Sequence, residues 1–368
     1  MEQYLFDPVT KSYRDAPAAD PDAAAWPVSQ AVAATIAVAR IPGAATDAGS
    51  AATRGFGELS TLRVGSVYHA STGAPVYYDD NEWIAQDLLD WNEVHPTAAA
   101  VSAASEIFSA VVRAWDGDAS TPCAGGVYWT TAANVRDRNT VSTANGAVVG
   151  LRLYASTKRP VFLYWSQRML DWVNACMLAP DGMYWDHVTA GGVVDRREWS
   201  YNQGSLIAAY LLLYQTTGDA SALARAEHLA DCTLHAFAGR WLSEPPEFAG
   251  IFFRHVLELA AVDGRPNYVA AAEGYAEDAW NELRDPQTGL FGSAATATLL
   301  GQAAFVQLYA HLAVTDSGAA TSGSPPPGAG PTNRGSDGAH ADRGRGRPAP
   351  RTQPGRAGRS GRPSRTSR

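Results

Sequence analysis

One short phrase recurs along this chain and constrains its architecture more than any other feature: a Gly or turn residue, then an aromatic, then often an acid or a small polar residue. It reads FDPVTKSYRD at 6–15, STGAPVYYDD at 71–80, AGGVYWTT at 124–131, PDGMYWDH at 180–187, FAGRWLSE at 237–244 and RDPQTGLFGS at 284–293. The first and last match best, both reading Asp-Pro-x-Thr-x-x-aromatic. Each phrase stands between stretches with apolar residues three and four apart, the period of a helix, and no alternating strand series competes. Six phrases at intervals of about 50 to 65 residues describe six helical hairpins, because two helices and their connections fill such an interval. The reading is all-α: a closed six-hairpin toroid, six inner helices ringed by six outer ones. A solenoid is the alternative, but it would show a more regular repeat. Only Met1 to Phe6 precede the first phrase, so eleven helices and a stub are expected, the first outer helix being truncated or dispensable to the barrel.

Composition divides the chain at residue 315. Residues 316–368 hold ten Arg, no Lys and three Asp, hence +7, and the whole chain's −8 less this tail leaves −15 on residues 1–315. The tail has no aromatic and almost no aliphatic residues, so it cannot offset the entropy of ordering and is expected to be disordered. Residues 1–315 are expected to form the barrel domain. The tail's Gly-Arg texture fits an anionic polymer, but a solvated extension is the simpler reading, and no nucleic-acid partner is expected. No apolar run reaches the ~18 to 20 residues that cross a bilayer, and Met1-Glu2-Gln3-Tyr4 opens neither a basic nor an apolar leader. On that basis the chain as given carries no export signal, and a monomer is expected. Cys123, Cys176 and Cys232 lack disulfide-framework or zinc spacing and read as buried thiols.

All six phrases join an outer helix to the next inner one and so crowd one rim, where inner-helix N-termini present unpaired N–H groups. That rim is rich in aromatics, among them Tyr77, Tyr78, Trp83, Tyr128, Trp129, Tyr184, Trp185, Trp199, Tyr201 and Trp241. Aromatic faces stack on sugar rings while acids and amides hold hydroxyls; no Gly-rich phosphate loop favours a nucleotide. Asp79-Asp80 is the candidate pair for glycosidic chemistry, in which one acid attacks and the other supplies a proton. Burial and like charge would raise one pKa and leave the other group ionised. The competing structural reading is a capping box, Asp79 with Glu82 ahead of a helix from Glu82 to Trp91.

YYDDNEWIAQDLLDW (77–91), GGVYWT with RNTVST, DGMYWDH, EWSYNQGSLIAAYLLLYQTTGD (198–219) and FAGIFFRHV (248–256) resemble glycoside hydrolase family 76, the bacterial and fungal endo-α-1,6-mannanases, from about Trp26 to His311. The resemblance implies an (α/α)6 barrel, often exported, and a retaining mechanism on consecutive aspartates, with Asp79 as nucleophile, Asp80 as acid/base, an α-mannan as partner and no metal or organic cofactor. It also points to Tyr78, Trp129, Asn139, Asp186, Tyr201 and Gln203 as substrate-binding residues. Asp186 is equally a turn residue, Tyr201 and Gln203 equally helix-start caps. His187, Glu244 and Arg254 stand at the margin, Arg254 as readily paired with a structural acid. The chain departs from the family pattern at Ala249, usually Lys, and at Thr143, usually Asn. Rival functions are a sugar epimerase or isomerase on the same barrel, which would lean on His187 and His255, and a carbohydrate-binding barrel without catalysis.

Overall fold

The computed structural model describes residues 1–17, 22–44, 47–293 and 296–322, with side chains to 315; residues 323–368, most of the tail expected to be disordered, lie outside them. Twelve helices are present among the described residues. The first, α1 (Glu2–Leu5), is a single turn, and the others alternate between two layers. The inner layer consists of α2 (Ala25–Ala39), α4 (Tyr78–Val94), α6 (Thr140–Thr157), α8 (Ser200–Thr217), α10 (Pro246–Asp263) and α12 (Leu299–Ser322). The outer layer is α3 (Asp47–Thr61), α5 (Ala98–Arg113), α7 (Pro160–Cys176), α9 (Ala220–Ala236) and α11 (Pro266–Glu282). Each inner helix packs on the next, and α12 packs back on α2, so the ring closes. Gln307 at this seam donates to the Gln30 carbonyl and side-chain oxygens at 3.3 and 3.2 Å. The last helix runs seven residues past the boundary drawn at 315.

Burial explains the two layers. Outer helices are amphipathic: α5 buries Ala100, Ala104, Ile107, Phe108 and Val111 at three- and four-residue spacing and leaves its other face wet. Inner helices are covered on every side, and α8 is buried almost without interruption from Ser200 to Leu211. Close crossing needs a glycine at one point, where a Cβ on Gly204 would lie 2.8 Å from the Phe252 Cα of α10.

The two rims are built differently. On the far rim α6, α8 and α10 each turn into the next outer helix through two residues, beginning with a left-handed Lys158, Gly218 or Gly264. On the near rim the six phrases make longer connections that pair with one another. They carry the hairpins β1 (Phe6–Asp7) with β2 (Ser12–Tyr13) and β3 (Arg63–Val64) with β4 (Val67–Tyr68), and a three-stranded strip of β5 (Arg138–Asn139), β6 (His187–Val188) and β7 (Val194–Asp195). The fourth residue of several inner helices clamps this backbone. Asn81 accepts from the Tyr68 N–H and donates to its carbonyl, Thr143 accepts from the Val127 N–H, and Gln302 grips Phe291 from both sides.

Two of the cysteines are not thiols. Cys123 and Cys176 form a disulfide between the third phrase and the end of α7. They lie 53 residues apart in sequence, but α7 ends on the rim where that phrase lies, which spacing alone does not reveal. Cys232 stays free and partly exposed.

Candidate active site

Helix α4 starts at Tyr78, with Tyr77 as a cap that makes no side-chain bond. Asp79 and Asp80 therefore stand inside the first turn, and the capping-box reading fails. Glu82 is fully buried, and neither of its oxygens has a hydrogen-bond partner. The pair lies within the helix, whereas the sequence reading began the helix only at Glu82, so the two side chains are about 100° apart around the axis. Both line a cavity of about 320 Å³ at the near rim.

The third phrase sets one wall. Trp129 accepts the Tyr78 N–H through its carbonyl, packs its ring 4.9 Å from Tyr77 and donates Nε1–H to Asp79 Oδ2 at 3.2 Å. The phrase is itself anchored by Arg138, fully buried, which pairs with Asp116 at 2.9 Å and donates to the Pro122 and Thr189 carbonyls, both at 3.1 Å. Asn139, next along, caps α6 and points an unpartnered buried Oδ1 at this level.

The opposite wall comes from the fourth phrase and from α8 and α10. Asp186 is buried; its Oδ1 accepts from Asn202 at 3.1 Å and from the Tyr201 hydroxyl at 3.5 Å, and its Oδ2 meets His187 Nδ1 at 3.0 Å. The hydrogen bond that His187 gives to Asp186 raises the His187 pKa. The Tyr201 ring stacks on Phe248 at 4.2 Å, and Trp26 flanks Phe248 at 6.4 Å.

Electrostatics separates the two acids. Burial pushes Asp79 up to about 6, with Asp186 adding to the rise, while the Trp129 donor and the N–H groups of the helix start restrain it. Asp80 rises well above the usual carboxylate range, first by burial and then by the charge of Asp79. The two adjacent carboxyls interact, so both are held above the usual carboxylate range and their protons leave in separate steps, the charge left on one holding the proton on the other. Arg197 lines the same cavity but is committed to Asp195 at 2.6 Å.

Of the residues read from the sequence, Asp79, Asp80, Trp83, Trp129, Asn139, Asp186, His187 and Tyr201 line this one cavity. Tyr78 does not; it is half-buried against the main core. Gln203 does not either. Its amide accepts from the Tyr184 N–H at 2.9 Å and donates to the Tyr184 and Trp199 carbonyls, which makes it the α8 member of the fourth-residue clamps. Glu244 binds the Ser200 N–H and hydroxyl, and Arg254 pairs with Asp90, so both are structural. Trp26, Asp137, Arg197 and Phe248 were missed. Two of them carried a signal: Trp26, Asp79 and Tyr201 are second residues of inner helices, and Asp80 and Phe248 are third residues.

A six-hairpin barrel with an acid pair and an aromatic cleft on its long-looped rim is of the glycoside hydrolase class. The pattern of glycosyl hydrolase family 76 matches residues 9–316, and the chain belongs to that family. Among its relatives is the mannan endo-1,6-alpha-mannosidase DCW1 of Saccharomyces cerevisiae, 30% identical over 127 residues, which are 31% of this chain and 27% of that protein. The matched stretch thus spans under a third of the relative's length. The family 76 mannosidase Bt3792 of Bacteroides thetaiotaomicron shares the fold at a TM-score of 0.76 and 23% identity, over 86% of this chain and 96% of that one. So does an inactive variant of the α-1,6-mannanase GH76A of Salegentibacter sp. HEL1_6, two consecutive aspartates replaced, in complex with α-1,6-mannotriose (TM-score 0.72, 18% identity, 85% and 96% coverage). Among the described residues no helix is long and apolar enough to cross a membrane.

Proposed function

We propose that this protein cleaves α-1,6-linked mannosyl chains, by hydrolysis or transfer to another sugar, with retention at the anomeric carbon. One observation carries the reading: adjacent buried carboxyl groups line an aromatic cleft without a cation between them, and burial and like charge hold both above the usual carboxylate range, so that one can be ionised while the other keeps its proton. The ionised Asp79 attacks the anomeric carbon, and Asp80 gives its proton to the leaving oxygen. Asp80, now a carboxylate, takes a proton from water or from an acceptor sugar, whose oxygen displaces Asp79 and closes the cycle. Trp129 orients Asp79 through the bond to Oδ2. Asp186 and Asn139 are placed to hold sugar hydroxyls, and the Tyr201–Phe248 stack offers an apolar face to a ring. The linkage is taken from the relatives: the DCW1 proteins are named for endo-1,6-α-mannosidase activity, and the GH76A variant holds α-1,6-mannotriose. No step in this scheme calls for a metal or an organic cofactor.

A screen of unbranched α-1,6-, α-1,2- and α-1,3-mannans tests the reading. Oligosaccharides are expected from the α-1,6 polymer alone; release from the others and not from it would overturn the assignment.

A further inference from the structure

Glu82 is the buried acid that this mechanism does not use. It lies three residues after Asp79 on α4, and residues at that spacing share a helix face. The Oδ2 atom of Asp79 is held by Trp129, whereas its Oδ1 is buried without a partner. Both oxygens of Glu82 are in the same condition, and its side chain is fully enclosed. An enclosed carboxylate that has no cation beside it and makes no hydrogen bond is too costly to persist, so such a group keeps its proton. Among the described residues, no cation is committed to it. Helix α6 brings the neutral Ser142 and Asn145, whose atoms are also unpartnered. Arg152, two turns beyond Asn145, is engaged by Asp90 and Glu93. From α2, Ser29 serves Asp87, the next acid along α4. Helix α5 directs Glu106 to Arg63 and Arg113 to Ser66 at the surface, and β4 meets α4 through the Tyr68 backbone and Asn81. The charge that acts on Glu82 is that of Asp79, which adds to burial in holding the proton on.

We propose that Glu82 is a protonated carboxylic acid whose O–H serves the inward oxygen of Asp79, directly or through one buried water, making it a positioning residue for the nucleophile. This rests on the role given to Asp79 above. With Trp129 on one oxygen and Glu82 on the other, the carboxylate is fixed in rotation, and two neutral side-chain donors lower its basicity in addition to the N–H groups of the helix start. Glu82 itself exchanges no proton with substrate.

Rates on α-1,6-mannotetraose across pH, together with infrared difference spectra, test the proposal. E82Q keeps a donor, so its acid limb of kcat/KM stays with the wild type. E82L removes the donor, so the limb moves to higher pH and kcat falls about 10- to 100-fold at steady KM. A limb that moves down in both variants would mean that Glu82 is an anion, and one that stays put in E82L would mean that the two groups do not interact; either overturns the proposal. The infrared difference at pH 8 between wild type and whichever variant folds reports independently. Loss of a protonated-carboxyl band is expected, and loss of a carboxylate band contradicts it. Failure of the wild type to cleave the tetraose sinks the functional reading but leaves that spectrum to decide the state of Glu82.

Discussion

The two ends of α4 treat buried carboxylates in opposite ways. Each end opens on a cavity of about 320 Å³, so size does not distinguish them. At the C-terminal end burial alone would raise Asp90, but three arginines outweigh it: Arg152 at 2.9 Å, Arg254 at 2.8 Å and Arg40 at 3.1 Å hold its pKa well below the usual range. His311 nearby is half-buried, and its enclosure together with the Arg254 charge pushes it down to about 4, so it stays neutral. At the N-terminal end Asp79 and Asp80 have no such partners, and burial wins. An acid surrounded by cations is fixed in charge and holds the barrel together, whereas an acid deprived of them has a proton to move. The contrast separates structure from chemistry on a single helix.

The largest effect expected from that contrast is on rate. Asp79→Asn and Asp80→Asn should each lower turnover of α-1,6-mannan by about 10⁴-fold or more while leaving the fold intact by circular dichroism. Stability should then respond in opposite directions. The folded-state pKa of Asp79 is raised from 3.8 to about 6, so this group favours the fold while protonated, and its contribution is lost as pH rises from about 4 through about 6. Asp90 is depressed, so its contribution is present above the unfolded value of 3.8 and lost as pH falls. D79N should therefore match or exceed the wild type in denaturant midpoint at pH 7, while Asp90→Asn should fall below it. A loss in D79N equal to that in D90N would break the comparison.

Next in size is Arg254→Met, which leaves part of the Asp90 charge uncompensated and should cost about 3–5 kcal/mol in urea unfolding, with activity per folded molecule retained. Trp129→Phe removes one donor from Asp79 and should shift the acid limb of kcat/KM upward, with a loss of about tenfold. Tyr78→Phe should change turnover by less than about twofold, because its ring packs on the main core and is not part of the cleft lining.

The barrel was legible because each of its six hairpins repeats one turn phrase, and the acid pair because it sits in such a phrase. Membership of a motif, however, does not say which way a side chain faces. Tyr78 and Gln203 stand beside cleft residues in sequence yet point elsewhere, and Trp26 and Phe248 belong to the cleft by helix register rather than by residue type. Aligning the repeats on their inner-helix starts would have helped to sort them, since a second or third residue of α2, α4, α8 and α10 lines the cavity and the fourth residue of α4, α6, α8 and α12 clamps the backbone. The start of α4 was misplaced because Tyr77 is not a capping residue type. The Cys123–Cys176 bond and the Asp90 network join residues far apart in the chain and left no local pattern to read.

The division of labour between Asp79 and Asp80 is tested most directly by azide rescue of Asp79→Ala and Asp80→Ala on an activated aryl α-1,6-mannobioside. If Asp79 is the nucleophile, azide replaces it in D79A and yields the β-glycosyl azide with inverted configuration. In D80A the glycosyl-enzyme still forms, and azide intercepts it to give the α-azide. The opposite pattern of products would contradict the assignment of the two roles.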